Sequence, residues 1–364
     1  MTLAIDWIWL LLALPVAFGL GWFFSRLDVW HWKMESRHQP RAYFKGLNYL
    51  LSGQQDAAID SFIEAVQNDP DTSELHFTLG NLFRRRGEYD RAVRVHEHLL
   101  ARADLSQADR QRAQFALAQD YAKAGLLDRA EAAIKGTNLV LAELQSKEAQ
   151  QLLLSIYERG RDWAGAALMA EHLEASGAGN YTKRRAHYLC EQQLFEVAIA
   201  LSPTSPRAYM ELARKHADAG DFAASNDLLA LAARHAPQAL PLLASQLLAS
   251  AKTDEQQQAA IQTLAAAYQD THSLGVLEAL IGVGWMDART AYVAHLTKEP
   301  SLIAASHLIE SPQLVEVQAA LQKATEPLKR YRCAACGFEA KQYFWQCPGC
   351  QAWDSYPFKR VEEL

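Results

Sequence analysis

The chain has 364 residues, of which 50% are hydrophobic and 21% charged. This composition excludes a wholly disordered chain, which would have fewer apolar residues and a larger net charge. The formal net charge of −6 excludes a general attraction to polyanions, so contact with nucleic acid or lipid headgroups would require a local basic patch. The five cysteines are too few for a disulfide scaffold, and four of them fall between Cys333 and Cys350, which indicates a metal site.

The N-terminal residues predict a membrane anchor. The 19 residues between Asp6 and Arg26 carry no charge, and as a helix they would span about 28 Å, close to the hydrocarbon thickness of a bilayer. A cleaved signal peptide and a buried helix are the alternatives. A signal peptide would begin with basic residues and end at a small-residue cleavage site, and the sequence shows neither convincingly. We therefore predict a retained transmembrane helix within residues 1–25.

The flanks of this segment predict its orientation. Residues 26–45 hold five basic and two acidic side chains, whereas the six residues before the span are about neutral. Lys and Arg favour the cytoplasmic side of a bacterial membrane. The sequence therefore predicts a single-pass inner-membrane protein whose body lies in the cytoplasm behind a juxtamembrane linker at 26–40. That reducing compartment also preserves free thiols.

From residue 41 onward the sequence repeats a pattern of small and aromatic residues. The first two copies are offset by 34 residues, two further copies follow, and a fifth, with Leu212, Ala213, Gly220, Phe222, Ala232 and Pro237, comes after a degenerate stretch. The shared positions are Gly46, Tyr49 and Ala58; Gly80, Phe83 and Ala92; Ala118, Tyr121, Gly125 and Ala130; and Tyr157, Gly160, Trp163 and Ala166. This pattern resembles the tetratricopeptide repeat, a helix-turn-helix unit that stacks into a superhelix. We predict such repeats over 41–238, with a shortened unit between Tyr181 and Ser205.

Local signals refine this all-α prediction. Gly53, Gly87 and Gly125 are predicted to end the first helix of their pairs in a left-handed conformation. A capping box is predicted at Thr253 and Gln256. Ser205-Pro206 and Ser311-Pro312 are predicted helix starts. We predict further divergent helical repeats over 239–326.

The C-terminal stretch contains Cys333-x-x-Cys336 and, after ten residues, Cys347-x-x-Cys350. Two residues between cysteines let a tight turn direct both sulfurs at one ion, and two such turns complete a tetrahedral shell with metal–sulfur distances of about 2.3 Å. The four cysteines therefore predict one iron or zinc ion in a small module at 327–364. The spacing does not decide between the two metals.

The surroundings of these cysteines suggest how the module folds. Gly337 and Gly349 are predicted to let the backbone fold around the sulfurs and to donate N–H groups to them. Phe338, Phe344, Trp345 and Trp353 are predicted to shield the sulfurs from water. Because cysteines fill all four positions, the ion has no open site for substrate and would be structural or, if iron, electron-transferring.

The whole arrangement resembles the lipopolysaccharide assembly protein B family of Gram-negative bacteria. The resemblance rests on the short N-terminal span, the repeats and the terminal CxxCGF…WxCPxCxxW pattern. It implies a rubredoxin-type metal module packed on the repeats of a non-enzymatic adaptor for regulated proteolysis. The implied partners are a membrane-bound ATP-dependent metalloprotease and the deacetylase that commits precursors to lipid A, and no small-molecule substrate is implied. The shortened repeat and the ten-residue gap depart from the usual patterns.

A partner groove is predicted from the rule that such repeats bind peptides on the face lined by their first helices. Transferred to the first three copies, the rule selects Tyr43, Leu47, Leu50, Phe77, Asn81, Arg84, Arg85, Arg112, Phe115, Gln119 and Lys123. This aromatic and basic set suits a partner segment with carboxylates and apolar anchors. The alternative is that the arginines at 84–86 only complement the C-terminal dipole of their helix.

Two other functions stay open at this point. One is an electron carrier with iron in the four-cysteine site. The other is a nucleic-acid-binding zinc ribbon, because residues 328–364 contain six basic, four acidic and eight aromatic residues, although such aromatics more often fill a small core. His96 and His98 are predicted to be solvent-exposed, and Cys190 is predicted to be a core thiol. No nucleophile, phosphate-binding or dinucleotide motif is evident, so we predict no enzyme and no nucleic-acid ligand.

Overall fold

The computed structural model describes residue 22 and residues 41–68, 72–135, 147–309 and 315–364. The chain divides into two compact units, residues 1–145 and 146–364. Within the described residues, the first unit contains α1 (Arg41–Leu51), α2 (Gln55–Asn68), α3 (Ser73–Arg86), α4 (Tyr89–Leu100), α5 (Gln107–Ala124) and α6 (Leu127–Lys135). Consecutive helices pack as hairpins, and each hairpin also packs on the next.

The second unit begins with three further hairpins and continues through less regular helices. It comprises α7 (Lys147–Gly160), α8 (Trp163–Ala175), α9 (Thr182–Glu191), α10 (Phe195–Leu201), α11 (Pro206–Asp218), α12 (Phe222–His235), α13 (Leu240–Ser250), α14 (Asp254–Thr271), α15 (Leu274–Gly282), α16 (Ala288–Leu296), α17 (Leu302–Ser306) and α18 (Val315–Thr325). The strands β1 (Tyr331–Arg332) and β2 (Glu339–Ala340) and two 3-10 helices, Pro237–Ala239 and Val361–Glu363, complete it. The predicted TPR-like helical architecture is confirmed.

Glycine determines where the first helices of the early hairpins end. Gly53, Gly87 and Gly125 have φ angles of 73°, 81° and 83°, as predicted, and a residue with a Cβ atom would be strained there. In the fourth copy the left-handed residue is Arg161, with φ 57°. Gly160 is instead the last residue of α7, so this copy turns one residue later than its glycine suggested.

Small residues allow close approach of paired helices. Ala58, Ala92 and Ala130 are fully buried. A Cβ atom built on Gly80 would lie 2.5 Å from the His96 ring, and one built on Gly46 would lie 2.9 Å from Phe62. The helices of each pair therefore approach closely in the first two hairpins.

Replacing Gly80 with alanine is expected to destabilise the first unit. The added methyl group would force α3 and α4 apart, which costs about 1–3 kcal/mol in overpacked cores. Gly282 is the control, because a Cβ atom there meets no atom within 4 Å. Urea unfolding should give a lower free energy of unfolding for Gly80→Ala than for Gly282→Ala. Equal values would contradict the close packing of Gly80.

The prediction for the histidines of α4 was wrong for one of them. His98 is exposed, but His96 is fully buried, because residues two apart on a helix face different sides. Its Nδ1 atom lies 2.5 Å from Oδ2 of the buried Asp120, whose other oxygen pairs with Arg84 at 2.8 Å. These contacts join α3, α4 and α5 by a buried polar network.

Several terminal signals of the second unit are confirmed. Thr253 and Gln256 form the predicted capping box of α14, and Ser205 is the N-cap of α11, with Pro206 at its first turn. The shortened repeat corresponds to α9 and α10, which have 10 and 7 residues. Cys190 is buried in α9, as predicted. The Ser311-Pro312 start lies outside the described residues.

In the part of the chain that the structure describes, no helix is both long and apolar enough to cross a bilayer. The predicted transmembrane helix within residues 1–25 and the linker at 26–40 lie outside the described residues, apart from Trp22.

Stability is expected to depend on the protonation of His295, in α16. This side chain is 2% exposed, with Nδ1 3.0 Å from the Tyr268 hydroxyl. Its pKa lies below the ordinary value because burial disfavours the charged ring; nearby His272 acts in the same direction, and nearby Glu363 and Glu299 act in the opposite one. As the pH is lowered, the unfolded chain therefore binds a proton at His295 before the folded chain does. The free energy of unfolding should decrease as the pH falls below about 6.5.

Urea unfolding of the protein and of His295→Gln between about pH 7.5 and 5.5 measures this contribution. The free energy of unfolding of the variant should fall less steeply with decreasing pH. Parallel pH profiles would contradict the role assigned to His295.

Candidate metal centre

Two short turns present the cysteines. In the first, β1 and β2 pair antiparallel, with Tyr331 opposite Ala340, and Cys333 N–H donates to Phe338 O at 2.9 Å. In the second, Gln346 bridges to Trp353, and Cys347 N–H donates to Ala352 O at 2.9 Å. Each Cys-x-x-Cys pair is therefore enclosed by its own small hairpin.

The left-handed residue of each turn directly follows the second cysteine of the pair. It is Gly337 in the first turn, with φ 77°, and Gln351 in the second, with φ 60°. Gly337 therefore lets the first turn fold around its sulfurs, as predicted, and the N–H of Gly349 is one of the predicted donors to a sulfur, that of Cys347. A Cβ atom on Gly349 would come within 3.4 Å of Phe338, so this glycine allows close packing of the two turns.

The four sulfurs form one cluster. The Sγ atoms of Cys333, Cys336, Cys347 and Cys350 all lie within 4.8 Å of one another. Cys333 Sγ is 3.8 Å from Cys350 Sγ, and Cys336 Sγ is 3.7 Å from Cys347 Sγ. Metal–sulfur bonds of about 2.3 Å in a tetrahedron place the sulfurs about 3.8 Å apart. The sulfurs therefore fit a four-thiolate metal ion, and this geometry suits zinc and iron alike.

The electrostatics of the cluster favour thiolates at the buried positions. Burial alone would raise the pKa of Cys333, but hydrogen bonds from the Ser355 hydroxyl and from backbone N–H groups outweigh it and lower the pKa to about 6. Burial would also raise the pKa of Cys347, but hydrogen bonds from the N–H groups of Cys350 and Gly349 outweigh this effect and lower the pKa. Such N–H donors stabilise the charged form in which cysteine binds metals.

The core of the module differs from the predicted aromatic shield. Tyr356 is 3% exposed beside Cys333 and Cys347, and Tyr331, Tyr343 and Phe344 pack against this cluster. Of the predicted aromatics, only Phe344 packs there among the described residues. The Phe338 side chain is 43% exposed, and Trp345 and Trp353 both contact His187 of α9.

Trp353 attaches the module to the helical repeats within the second unit. Its ring stacks on His187 with centroids 4.9 Å apart, and its Nε1–H donates to Glu158 Oε1 at 2.9 Å. Asp354, the next residue, lies 2.8 Å from Nε2 of the buried His187. These contacts join residues about 170 to 200 positions apart, so the repeat pattern gave no signal for them.

The last residues of the chain form a second attachment. The Arg360 guanidinium pairs with Glu278 of α15 at 2.9 Å. Glu363 accepts from the Leu274 N–H at 2.9 Å at the start of α15, and Glu362 accepts from the Ile303 N–H at 3.0 Å at the start of α17. The tail residues therefore cap two helices of the second unit.

A cavity of about 670 Å³ lies between the Cys350–Asp354 loop and helices α7 and α9. Its lining is mixed, with Gln151, Ser155 and Lys183 among the polar side chains and Trp353 among the aromatic ones. Cys350 also borders the cavity.

The predicted partner groove lies in the first unit, and the structure divides its residues into two classes. Phe77 is 1% exposed and packs with Leu99 and Ala113, so the prediction that its side chain lines a groove was wrong. The Arg84 guanidinium donates hydrogen bonds to the side chains of Asp120 and Asn81. The Arg112 guanidinium is ion-paired with Glu74 and lies 4.1 Å from the centre of the Phe77 ring.

Three of the remaining groove residues also have internal contacts: Leu47 and Leu50 pack against the core of the first unit, and Asn81 accepts a hydrogen bond from Arg84. Arg85 and Lys123 are exposed, and neither forms an ion pair with another described residue. Asn81, Phe115, Gln119, Leu47 and Leu50 are half-buried, and the side chain of Tyr43 lies outside the described residues. The groove stays a prediction, with Arg85 and Lys123 as its accessible charges.

The fold and the cluster define a class of protein: a TPR-like helical-repeat protein with a C-terminal four-cysteine module. Residues 331–356 match the family model of the Rubredoxin metal binding domain. The chain is 31% identical to Lipopolysaccharide assembly protein B of Escherichia coli K12, covering 98% of this chain and 99% of the relative. It therefore belongs to the lipopolysaccharide assembly protein B family.

A second relative is more distant. Lipopolysaccharide assembly protein B of Haemophilus influenzae is 26% identical, over 95% of this chain and 96% of the relative. Among solved structures, the Naa15/Naa10 complex bound to HypK-THB overlaps with a TM-score of 0.43 and 15% identity, over 78% of this chain and 46% of the other.

Proposed function

We propose that this protein is a non-catalytic adaptor in lipopolysaccharide assembly. The observation that carries the proposal is the match, over 98% of the chain, to a relative named Lipopolysaccharide assembly protein B. The stacked hairpins support it, because helical repeats build extended surfaces that suit other proteins.

We further propose that the adaptor works at the bacterial inner membrane. This proposal is supported by the 19-residue uncharged stretch between Asp6 and Arg26 and by the basic residues that follow it. The repeats at 41–238, the divergent helices at 239–326 and the module at 327–364 would then lie on the cytoplasmic side. Tethering to the same membrane raises the effective concentration of weakly binding partners.

The proposed partners are a membrane-bound ATP-dependent metalloprotease and UDP-3-O-acyl-N-acetylglucosamine deacetylase, the committed enzyme of lipid A synthesis. The adaptor would present the deacetylase for degradation and so limit lipopolysaccharide synthesis. Arg85 and Lys123 support a role of the first unit in binding an acidic segment of a partner protein. Both side chains are exposed and have no ion-pair partner among the described residues, so they could pair with carboxylates of the partner.

The proposed metal site consists of Cys333, Cys336, Cys347 and Cys350, holding one iron or zinc ion. The support is the tetrahedral spacing of the sulfurs. A bound ion would cross-link the two turns, and four cysteines leave no position for substrate or activated water.

The half-life of the deacetylase in cells tests the proposal. We expect rapid degradation with the full chain and slow degradation without it or with residues 26–364 alone. Arg85→Glu combined with Lys123→Glu should lengthen the half-life. Charge reversal at Arg84 is unsuitable, since it would leave buried Asp120 beside a like charge. Arg91→Glu is the control, because Arg91 is 63% exposed on the second helix of its hairpin.

A half-life that is the same with and without the protein would refute the adaptor role. Photo-crosslinkers placed at positions 85 and 123 in living cells should capture the deacetylase or the protease. Capture from position 91 alone would exclude the predicted groove.

A further inference from the structure

Two side-chain hydroxyl groups reach the sulfur cluster. Ser355 Oγ lies 3.2 Å from Cys333 Sγ, and Tyr356 Oη lies 3.8 Å from Cys347 Sγ. Cys333 and Cys347 are the buried cysteines of the cluster, one from each pair, whereas Cys336 and Cys350 are exposed. Within the described residues, no side-chain hydroxyl bonds to either exposed cysteine. The two hydroxyl groups therefore contact the sulfurs of the two cysteines that are buried from solvent.

Each hydroxyl group has one hydrogen and two possible acceptors. Ser355 Oγ is also 3.1 Å from the Ala352 carbonyl oxygen, and Tyr356 Oη is 3.3 Å from that of Phe338. A metal-bound cysteine is a thiolate, which can accept a hydrogen bond but cannot donate one. Hydrogen bonds to charged acceptors are about twice as strong as those between neutral groups. With an ion in the cluster, the hydroxyl hydrogens should therefore point to the sulfurs.

We propose that Ser355 and Tyr356 are positioning residues of the metal site, whose hydroxyl groups donate to Cys333 and Cys347 and raise the reduction potential of iron bound there. This inference rests on the proposed metal site. Hydrogen bonds to the ligand sulfurs are among the factors that set such potentials. A four-thiolate site carries one more negative charge with ferrous than with ferric iron, so these donors stabilise the ferrous form.

The two contacts should differ in strength. Ser355 is the closer donor, and its removal is expected to weaken ferrous relative to ferric binding about tenfold, which for a one-electron couple is about 59 mV toward negative potential. Tyr356→Phe should shift the potential in the same direction but less, because its oxygen lies farther from the sulfur.

The experiment uses the full chain in detergent, reconstituted with iron and titrated with redox mediators while visible absorbance is recorded. Each centre gains one electron from the mediator, and no bond forms or breaks. Ser355→Ala and Tyr356→Phe test the proposal, and Ser355→Thr should preserve the potential because it keeps a hydroxyl group. Tyr343→Phe is the matched control, because the Tyr343 hydroxyl donates to Tyr356 O at 3.0 Å and bonds to no sulfur. Its potential should equal that of the unmodified chain.

The outcomes separate this inference from the function on which it rests. If the unmodified chain binds no iron in the four-cysteine site, this inference is overturned, whereas the proposed metal site is refuted only if zinc also fails to bind there. If Ser355→Ala retains one iron per chain and an unchanged potential, the role of the hydroxyl groups is refuted. Loss of iron from both test variants, with retention in Tyr343→Phe, would assign them to holding the module together and would also overturn the proposal.

Discussion

Cys347→Ser is expected to abolish stable metal binding and unfold the C-terminal module. Cys347 is fully buried in the core of the module, and a module this small has little hydrophobic core of its own. In small zinc modules the metal contributes about 10–16 kcal/mol that also drives folding. Replacing one thiolate with a hydroxyl group removes a ligand that both zinc and iron prefer. Metal content per chain should therefore fall, and proteolysis should cut within residues 327–364.

Cys190→Ser is the matched control for this variant. It makes the same chemical change at a buried thiol of α9 that lies outside the cluster. Burying a hydroxyl group there costs about 1–3 kcal/mol, but the metal content should stay that of the unmodified chain. Unchanged metal content and unchanged protease resistance in Cys347→Ser would refute the structural role of the ion.

Local features of the fold could be predicted because they depend on neighbouring residues. A left-handed turn requires a residue such as Gly87 whatever the distant chain does, and a cysteine pair two residues apart favours one ion. The four-cysteine cluster is therefore evident from spacing alone. The left-handed residue of the second turn could not be predicted in this way, because Gln351 takes that position without being glycine.

Tertiary contacts between distant segments could not be predicted in this way. Glu158 lies in a repeat where nothing in the sequence marks it, and its partner Trp353 is 195 residues away. The sequence predicts His96 at the surface, because nothing in its own helix shows that Asp120 of the next hairpin contacts it. Such pairs are determined by how hairpins stack, which a single sequence without aligned relatives does not show.

Glu158→Ala is expected to release the module from α7 and α9 and to destabilise the second unit. The Glu158 carboxylate, 9% exposed, accepts hydrogen bonds from Arg184 Nε at 2.8 Å and Nη2 at 2.7 Å. It also accepts from the Tyr188 hydroxyl and from Trp353 Nε1 at 2.9 Å. Burial and this carboxylate raise the pKa of Tyr188, so its hydroxyl remains a donor. Truncation therefore leaves three side chains without their acceptor.

The expected loss is about 3 kcal/mol, near the lower limit for breaking a buried ion pair, because Arg184 is 37% exposed. Glu158→Gln keeps the shape but not the charge and should lose less. Glu171→Ala is the control, since Glu171 pairs with Arg185 while 57% exposed, and its loss should stay within about 0.5 kcal/mol. Urea unfolding gives the free energies, and hydrogen exchange at residues 350–356 reports release of the loop. Equal effects of Glu158→Ala and Glu171→Ala would show that the module is held by other contacts, with the tail residues Glu362 and Glu363 the first to examine.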